Sequence, residues 1–114
     1  MSYKIRSKIW LEINDTIFLG EGRVMLLKTL QQTNSLNKAA KKMSMSYKKA
    51  WNLIDTMNKN SKQPVAVKKI GGKDGGGTQL TPYGIELIDK FESINKNCWK
   101  HLDKQQKKYF DLSS

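Results

Sequence analysis

The densest chemistry in this sequence is cationic. Ten lysines and a single acid, Asp55, fall between residues 35 and 73, a net charge of +9. Residues 1–34 carry five basic and three acidic side chains, and residues 74–114 carry six of each. Nearly all of the net +11 therefore sits in one contiguous third of the chain. A solvated basic face is the bland reading of such a block. Its local concentration fits the electrostatic footprint of a surface that binds a polyanion. An anionic membrane would favour a basic amphipathic helix with large apolar residues opposite.

Inside the block, SLNKAAKKMSMSYKKAWNLID holds the residues best suited to reading a nucleic acid. Tyr47, Ala50, Trp51, Ile54 and Met57 recur at helical spacing and predict one apolar stripe. Ser46, Lys48, Lys49, Asn52 and Asp55 lie opposite it. Lysines pair with phosphate or with guanine O6 and N7, and an asparagine pairs bidentately with adenine. A helix N-terminus itself suits a phosphate.

Other chemistries are poorly supported. GGKDGGGT superficially suggests a phosphate loop, but it lacks G-x-x-x-x-G-K-[ST] and joins two strands. Cys98 and His101 lie three apart, and one Cys with one His cannot close a tetrahedral zinc site within a chain. Packing for Cys98 and exposure for His101 are the simpler reading, so no metal and no cofactor are expected. No Ser/His/Asp set or paired carboxylates stand out, and an enzyme is not expected.

The elements that must position these residues follow from periodicity. Tyr3, Ile5, Ile9, Leu11 and Ile13 alternate with polar residues and predict a strand, followed by a turn built on Gly20 and Gly22. Val24, Leu27 and Leu30 predict a first helix from Arg23 to about Gln32. Asn34 or Ser35 can cap a second, from Leu36 to about Met43. The small Ala39 and Ala40 allow close helix crossing, and a short turn at Ser44 and Met45 leads to a third helix from near Ser46 to about Asn60. VAVKKI and TQLT predict two strands joined by GGKDGGG, whose five glycines in seven residues suit a long hairpin. Pro82 opens a last helix reaching about Phe110. On it Ile88, Phe91, Cys98, Leu102 and Tyr109 form a coiled-coil-like stripe.

This order predicts an α+β, mainly α chain: a winged helix-turn-helix with an N-terminal strand, a β-hairpin wing and a long C-terminal dimerisation helix. The division falls between residues 1–81, the DNA-binding part, and residues 82–114, the dimerisation helix and tail. Ile85 and Ile88 should pack on the winged core. Phe91, Cys98 and Leu102 should meet a second copy, with Lys104, Lys107 and Lys108 solvated. No apolar run approaches the roughly 20 residues that span a membrane. The N-terminus lacks the apolar core of a signal peptide, and the single cysteine, Cys98, excludes an internal disulfide. A cytoplasmic protein is expected.

SLNKAAKKMSMSYKKAWNLIDTMN, followed by GGKDGGGTQLTPYG, resembles the LysR-like winged helix-turn-helix of the ModE family of molybdate-responsive transcriptional regulators. The matching elements are Ala39-Ala40, Ser46 to Trp51, the glycine pattern of Gly71 to Gly77, and Leu80 to Gly84; GEGR at Gly20 to Arg23 also fits. The resemblance covers about residues 20–95. It implies double-stranded DNA as partner, a homodimer, and DNA contacts at Ser46, Tyr47, Lys48, Lys49 and Asn52, with Lys73 and Thr78 on the wing. Full-length members continue into C-terminal molybdate-binding domains, for which these 114 residues leave no room. No molybdate site is therefore expected in this chain. Two classes of function stay open: a sequence-specific regulator on a roughly palindromic operator, and a protein-interaction adaptor that keeps the winged helix as a scaffold. The lysine block favours the first.

Overall fold

The computed structural model describes residues 2–69 and 77–111. Its elements run β1 (Trp10–Ile13), β2 (Thr16–Gly20), α1 (Glu21–Thr33), α2 (Leu36–Lys42), α3 (Tyr47–Asn60), β3 (Ala66–Lys69), β4 (Gly77–Leu80) and α4 (Pro82–Tyr109). The strands make two separate antiparallel hairpins, β1–β2 and β3–β4. Three helices, a hairpin and a long final helix in this order are a winged helix-turn-helix.

The first hairpin departs from expectation. Asn14 and Asp15 have φ of 49° and 62°, and Ile13 faces Thr16 across them. A two-residue loop with positive φ at both positions matches the twist of its strands, and Asn and Asp tolerate that conformation. The single long strand from Tyr3 is therefore a short strand, a tight turn and a second strand. Gly20 and Gly22 do not form a turn, because α1 begins at Glu21. Residues 3–9 are extended but pair with no strand among the described residues. Their alternation is real, with Ile5, Ser7 and Ile9 half-buried, yet Ile5 and Ser7 lie against α4 and Ile9 packs on the core. Ile5 N donates to Gln106 Oε1 at 2.7 Å, and Ser7 Oγ lies 3.8 Å from Cys98 Sγ.

Local chemistry sets the helix boundaries. Asn34, at φ 52°, closes α1 by donating its N–H to Leu30 O at 2.8 Å. Ser35 then caps α2, its Oγ accepting from Lys38 N at 3.2 Å. Ser44 turns the chain at φ 55° and Met45 N returns to Ala40 O at 3.0 Å. Ser46 caps α3 by accepting from Lys49 N at 3.0 Å. Ala39, Ala40 and Ala50 are buried at the crossing, where larger side chains would push the two helices apart.

A side-chain amide fastens the hairpin to α3. Asn58 Oδ1 accepts from Val65 N at 2.7 Å and from Ala66 N at 3.4 Å, while its Nδ2 donates to Ala66 O at 3.0 Å. On the other side, Thr81 Oγ1 donates to Pro64 O at 2.7 Å and accepts from Gly84 N at 3.0 Å, capping α4. A Cβ at Gly84 would collide with the Val65 carbonyl oxygen, so this turn of α4 admits only glycine without a shift. At Gly77 a Cβ would come within 2.6 Å of Asn34 O, so the start of β4 is similarly close to the end of α1.

The core is built from Phe18 and Leu19 of β2, from α1, α2 and α3, from Val65 and Ala66, and from the first three turns of α4 through Leu87, Ile88 and Phe91. It ends there. Phe91 is only 5 % exposed within one chain, so the expectation that it meets a second copy is corrected. Ile85, expected on the core, is exposed instead. Beyond Phe91, α4 projects as an arm with residues 3–9 laid along it. Among its described residues only Gln106 is buried, and Gln106 Nε2 donates to Tyr3 O and to Asp111 Oδ2. The radius of gyration, 17.6 Å, exceeds the value of about 13 Å for a compact chain of this length, and the longest extent is 62 Å.

Two stability predictions follow from this arrangement. Phe91→Glu should cost about 3–5 kcal/mol or more, since it empties an aromatic site and buries an unpaired charge. A denaturant midpoint equal to the parent's would refute this placement. Asn58→Ala strands Val65 N–H and Ala66 C=O and should cost about 1–3 kcal/mol in chemical denaturation. An unchanged curve would show that the amide tie contributes nothing.

Candidate nucleic-acid interface

The face opposite the core of α3 presents the sequence-selected residues to solvent. Ala50, Ile54 and Met57 point inward, whereas Ser46, Lys48, Lys49 and Asn52 are exposed. The expected stripe needs correction at two positions: Tyr47 is 44 % exposed and Trp51 is 36 % exposed, so neither belongs to the core. The buried face is narrower than the helical spacing implies, because small Ala50 lies at the crossing with α2. Tyr47 consequently joins the outer face, together with Lys48 and Lys49. The Asn52 amide makes no hydrogen bond among the described residues, and it is free to serve a base edge.

The electrostatics run against helix stability and in favour of an anionic partner. α3 has no acid in its first turn and places Lys48 and Lys49 at the positive end of its dipole. Cations there cost roughly 0.3–1 kcal/mol each at an exposed site. Exposed Lys38, Lys41 and Lys42 on α2 and Lys68 and Lys69 on β3 extend the same surface. Among the described lysines of the block only Lys59 has an ion-pair partner, Asp55, at 2.8 Å. Elsewhere three lysines are paired, Lys4 with Asp103, Lys28 with Glu92, and Lys90 with Glu86, while the other described basic side chains stand, like most of the block, without an ion-pair partner among the described residues. Lys90 has its pKa raised, first by its hydrogen bond to Glu86.

Two sites expected on the wing resolve differently. Lys73 lies outside the described residues. Thr78 is only 7 % exposed, so it is corrected from a surface contact to a residue beneath the hairpin. It faces Lys68 across β3–β4, and both line a groove against α3. The long lysine reaches solvent and the short threonine does not. The expected dimer stripe is also partly occupied by the chain itself. Cys98 and Leu102 are half-buried, with Cys98 beside Ser7. Among the described residues there is no group of three or more His, Cys, Asp or Glu that could hold a metal, and His101 is exposed. No helix is long and apolar enough to cross a membrane among those residues.

Sequence reasoning missed Trp51 and Lys68 as parts of this surface, and Asn58 as the residue that positions it. Asn58 serves the backbone of Val65 and Ala66, and no side-chain pattern announces a backbone partner. Trp51 was hidden by its fit to the apolar period.

No family model matches the chain. Among curated proteins it is 40% identical over 86 residues to the molybdenum transport protein ModE of Azotobacter vinelandii, covering 75% of this chain and 32% of that one. The transcriptional regulator ModE of Haemophilus influenzae is also 40% identical over 86 residues, covering 75% of this chain and 34% of the relative. The DNA-binding transcriptional dual regulator ModE of Escherichia coli K12 is 35% identical over 93 residues, with 82% and 36% covered. Among solved structures, two variants of S. aureus MepR superpose with TM-scores of 0.62 and 0.60 at 19% and 18% identity. Each covers 76% of this chain, and 65% and 64% of the MepR chains are matched. That likeness establishes the winged helix-turn-helix fold. The chain is thus similar to the N-terminal part of these ModE proteins and spans about a third of their length.

Proposed function

We propose that this chain is a DNA-binding transcriptional regulator that reads duplex DNA with α3 and grips its backbone with the flanking lysines. The observation that carries this reading is the unneutralised cationic surface around the start of α3, with Asn52 free at its centre. Relatives named as transcriptional regulators support it, one of them named as DNA-binding. α3 would enter the major groove with Ser46, Tyr47, Lys48, Lys49 and Asn52 toward the DNA. Ser46 has its Oγ lone pair committed to the cap and retains its hydroxyl proton for a phosphate. Lys73 adds a backbone contact from the wing sequence. The protein acts in the cytoplasm, without catalysis. An adaptor role would leave the unpaired lysines without purpose. The relatives' molybdenum-related names are not carried over to this chain.

Binding is by a homodimer on a roughly palindromic site, because one such module contacts few base pairs. The projecting arm of α4 supplies the surface. It leaves Ile94 57 % exposed, with Tyr109 and Phe110 also exposed at its end. Cys98 and Leu102 contribute through the part of their surface that residues 3–9 leave open, while Phe91 does not.

Gel shifts on selected and random duplexes test the DNA reading. Asn52→Ala should lose on the order of 1–3 kcal/mol on the selected site and relax its preference, while Lys49→Ala should weaken all duplexes and flatten the salt dependence. Equal losses on both DNA classes for both variants would sink the division of roles. Sedimentation equilibrium tests the assembly: a mass of twice 13.1 kDa is expected. Ile94→Glu should return it to one chain with stability within about 0.5 kcal/mol of the parent, as for an exposed site. A parent at 13.1 kDa rejects the dimer.

A further inference from the structure

A groove of about 290 Å³ separates α3 from the β3–β4 hairpin. Its wall is mostly apolar, with Leu36, Ile54, Pro64 and Val67 along it and the Trp51 ring at its mouth. Trp51 projects from the helix that carries Lys48 and Asn52, and its indole Nε1–H has no hydrogen-bond partner among the described residues. The Lys68 ammonium lies 5.9 Å from the centre of that ring. A cation over an indole face is attracted by the ring's quadrupole, and Lys68 has no ion-pair partner among the described residues. The acid lining the groove, Asp55, is already paired with Lys59 at 2.8 Å. The mouth of the groove therefore combines an exposed aromatic face, one free N–H donor and one free cation, surrounded by unpaired lysines.

We propose that Trp51 and Lys68 form a binding site for one sugar–phosphate strand of the duplex. The strand's phosphate sits on the Lys68 ammonium and the indole N–H, and its deoxyribose sits against the indole ring. This inference rests on the DNA-binding reading above and extends it to a site made by two elements at once. With α3 in the major groove and the hairpin beside it, the strand bordering that groove passes between them. The charge suits this occupant, because the one carboxylate among the groove's described lining residues is neutralised while the cation is not. Trp51 and Lys68 thus hold the strand, and Asn52, one residue further along α3, reads the base edges. Contacts to phosphate and sugar set register and carry no sequence information.

The test uses the full chain with Trp51→Ala, Trp51→Phe and Lys68→Ala, titrated into selected and random duplexes over a range of salt. Trp51→Ala and Lys68→Ala should each weaken both duplexes alike, by roughly tenfold, as expected for a lost hydrogen bond to a charged group. Lys68→Ala should also reduce the slope of log affinity against log salt by about 1, while Trp51→Ala leaves the slope unchanged. Trp51→Phe should recover part of the loss, through its ring. In a chain carrying Trp10→Phe and Trp99→Phe, emission from Trp51 should change on adding duplex. Parent-like affinity and slope in both alanine variants, with Asn52→Ala still losing specificity, overturns the strand site and leaves the DNA reading standing. Absence of duplex binding by the parent overturns both. Thermal unfolding checks each variant; if Trp51→Ala does not fold, the salt slope of Lys68→Ala decides.

Discussion

The interface depends on a constraint that is not itself part of the interface: the Asn58 amide must satisfy the backbone of residues 65 and 66. In the proposed reading DNA is gripped by two elements, α3 and the hairpin, and their mutual position must not drift. Packing alone is weakly directional, since apolar surfaces slide at little cost. The amide is not, because its oxygen and nitrogen match one arrangement of N–H and C=O groups. Val65 and Ala66 are buried, so a different register would strand their polar groups away from water. Thr81 imposes the same kind of condition from the other side, through Pro64 and the first turn of α4. The segment that starts the hairpin is therefore held on both flanks by side chains with defined geometry, and the hairpin leaves it in a set direction.

Set against that rigid frame is a surface arranged at some cost to folding. Lys48 and Lys49 occupy the end of α3 where acids would stabilise it. The lysines of α2 and β3 add like charge nearby. Two ion pairs elsewhere join separate segments, Lys28 on α1 with Glu92 on α4 and Lys4 with Asp103. Such pairs fasten exposed segments weakly, as surface ion pairs do. The lysines of α2, α3 and β3 are grouped on adjoining elements, which is where the proposed anionic partner would meet them.

The arm of α4 shows a different logic. Its stripe of half-buried residues is covered in part by residues 3–9, whose backbone bonds to the Gln106 amide. A polar side chain at the far end of a helix thereby organises the extended N-terminal segment. The remaining apolar surface, at Ile94 and around Tyr109 and Phe110, lies on a part of the molecule that has no core of its own. It is this exposed apolar surface that the proposed dimer contact would cover.

Periodicity and capping chemistry in the sequence were enough to determine the three helices of the core, the final long helix, the hairpin strands, and the basic block between them. These signals are local: a cap needs Ser35 or Ser46 beside its helix, and an amphipathic face needs only its own spacing. The exposed polar residues of α3, Ser46, Lys48, Lys49 and Asn52, were legible for the same reason, as the complement of a buried face. What tertiary structure decided was which apolar residues the core reaches. Trp51 fits the stripe but falls outside the crossing, whereas Phe91, assigned to a partner, lies within reach of α1. The Asn14-Asp15 turn was readable and was overlooked, because one alternating run passed for one strand. The alternation of residues 3–9 gave the period of an extended chain without naming its neighbour, since a period of two records burial and not the identity of the surface that buries. Asn58, Thr78 and Lys68 took their places from backbone groups and rings distant in sequence. Their roles became visible only when the chain had folded and brought α3 against the hairpin.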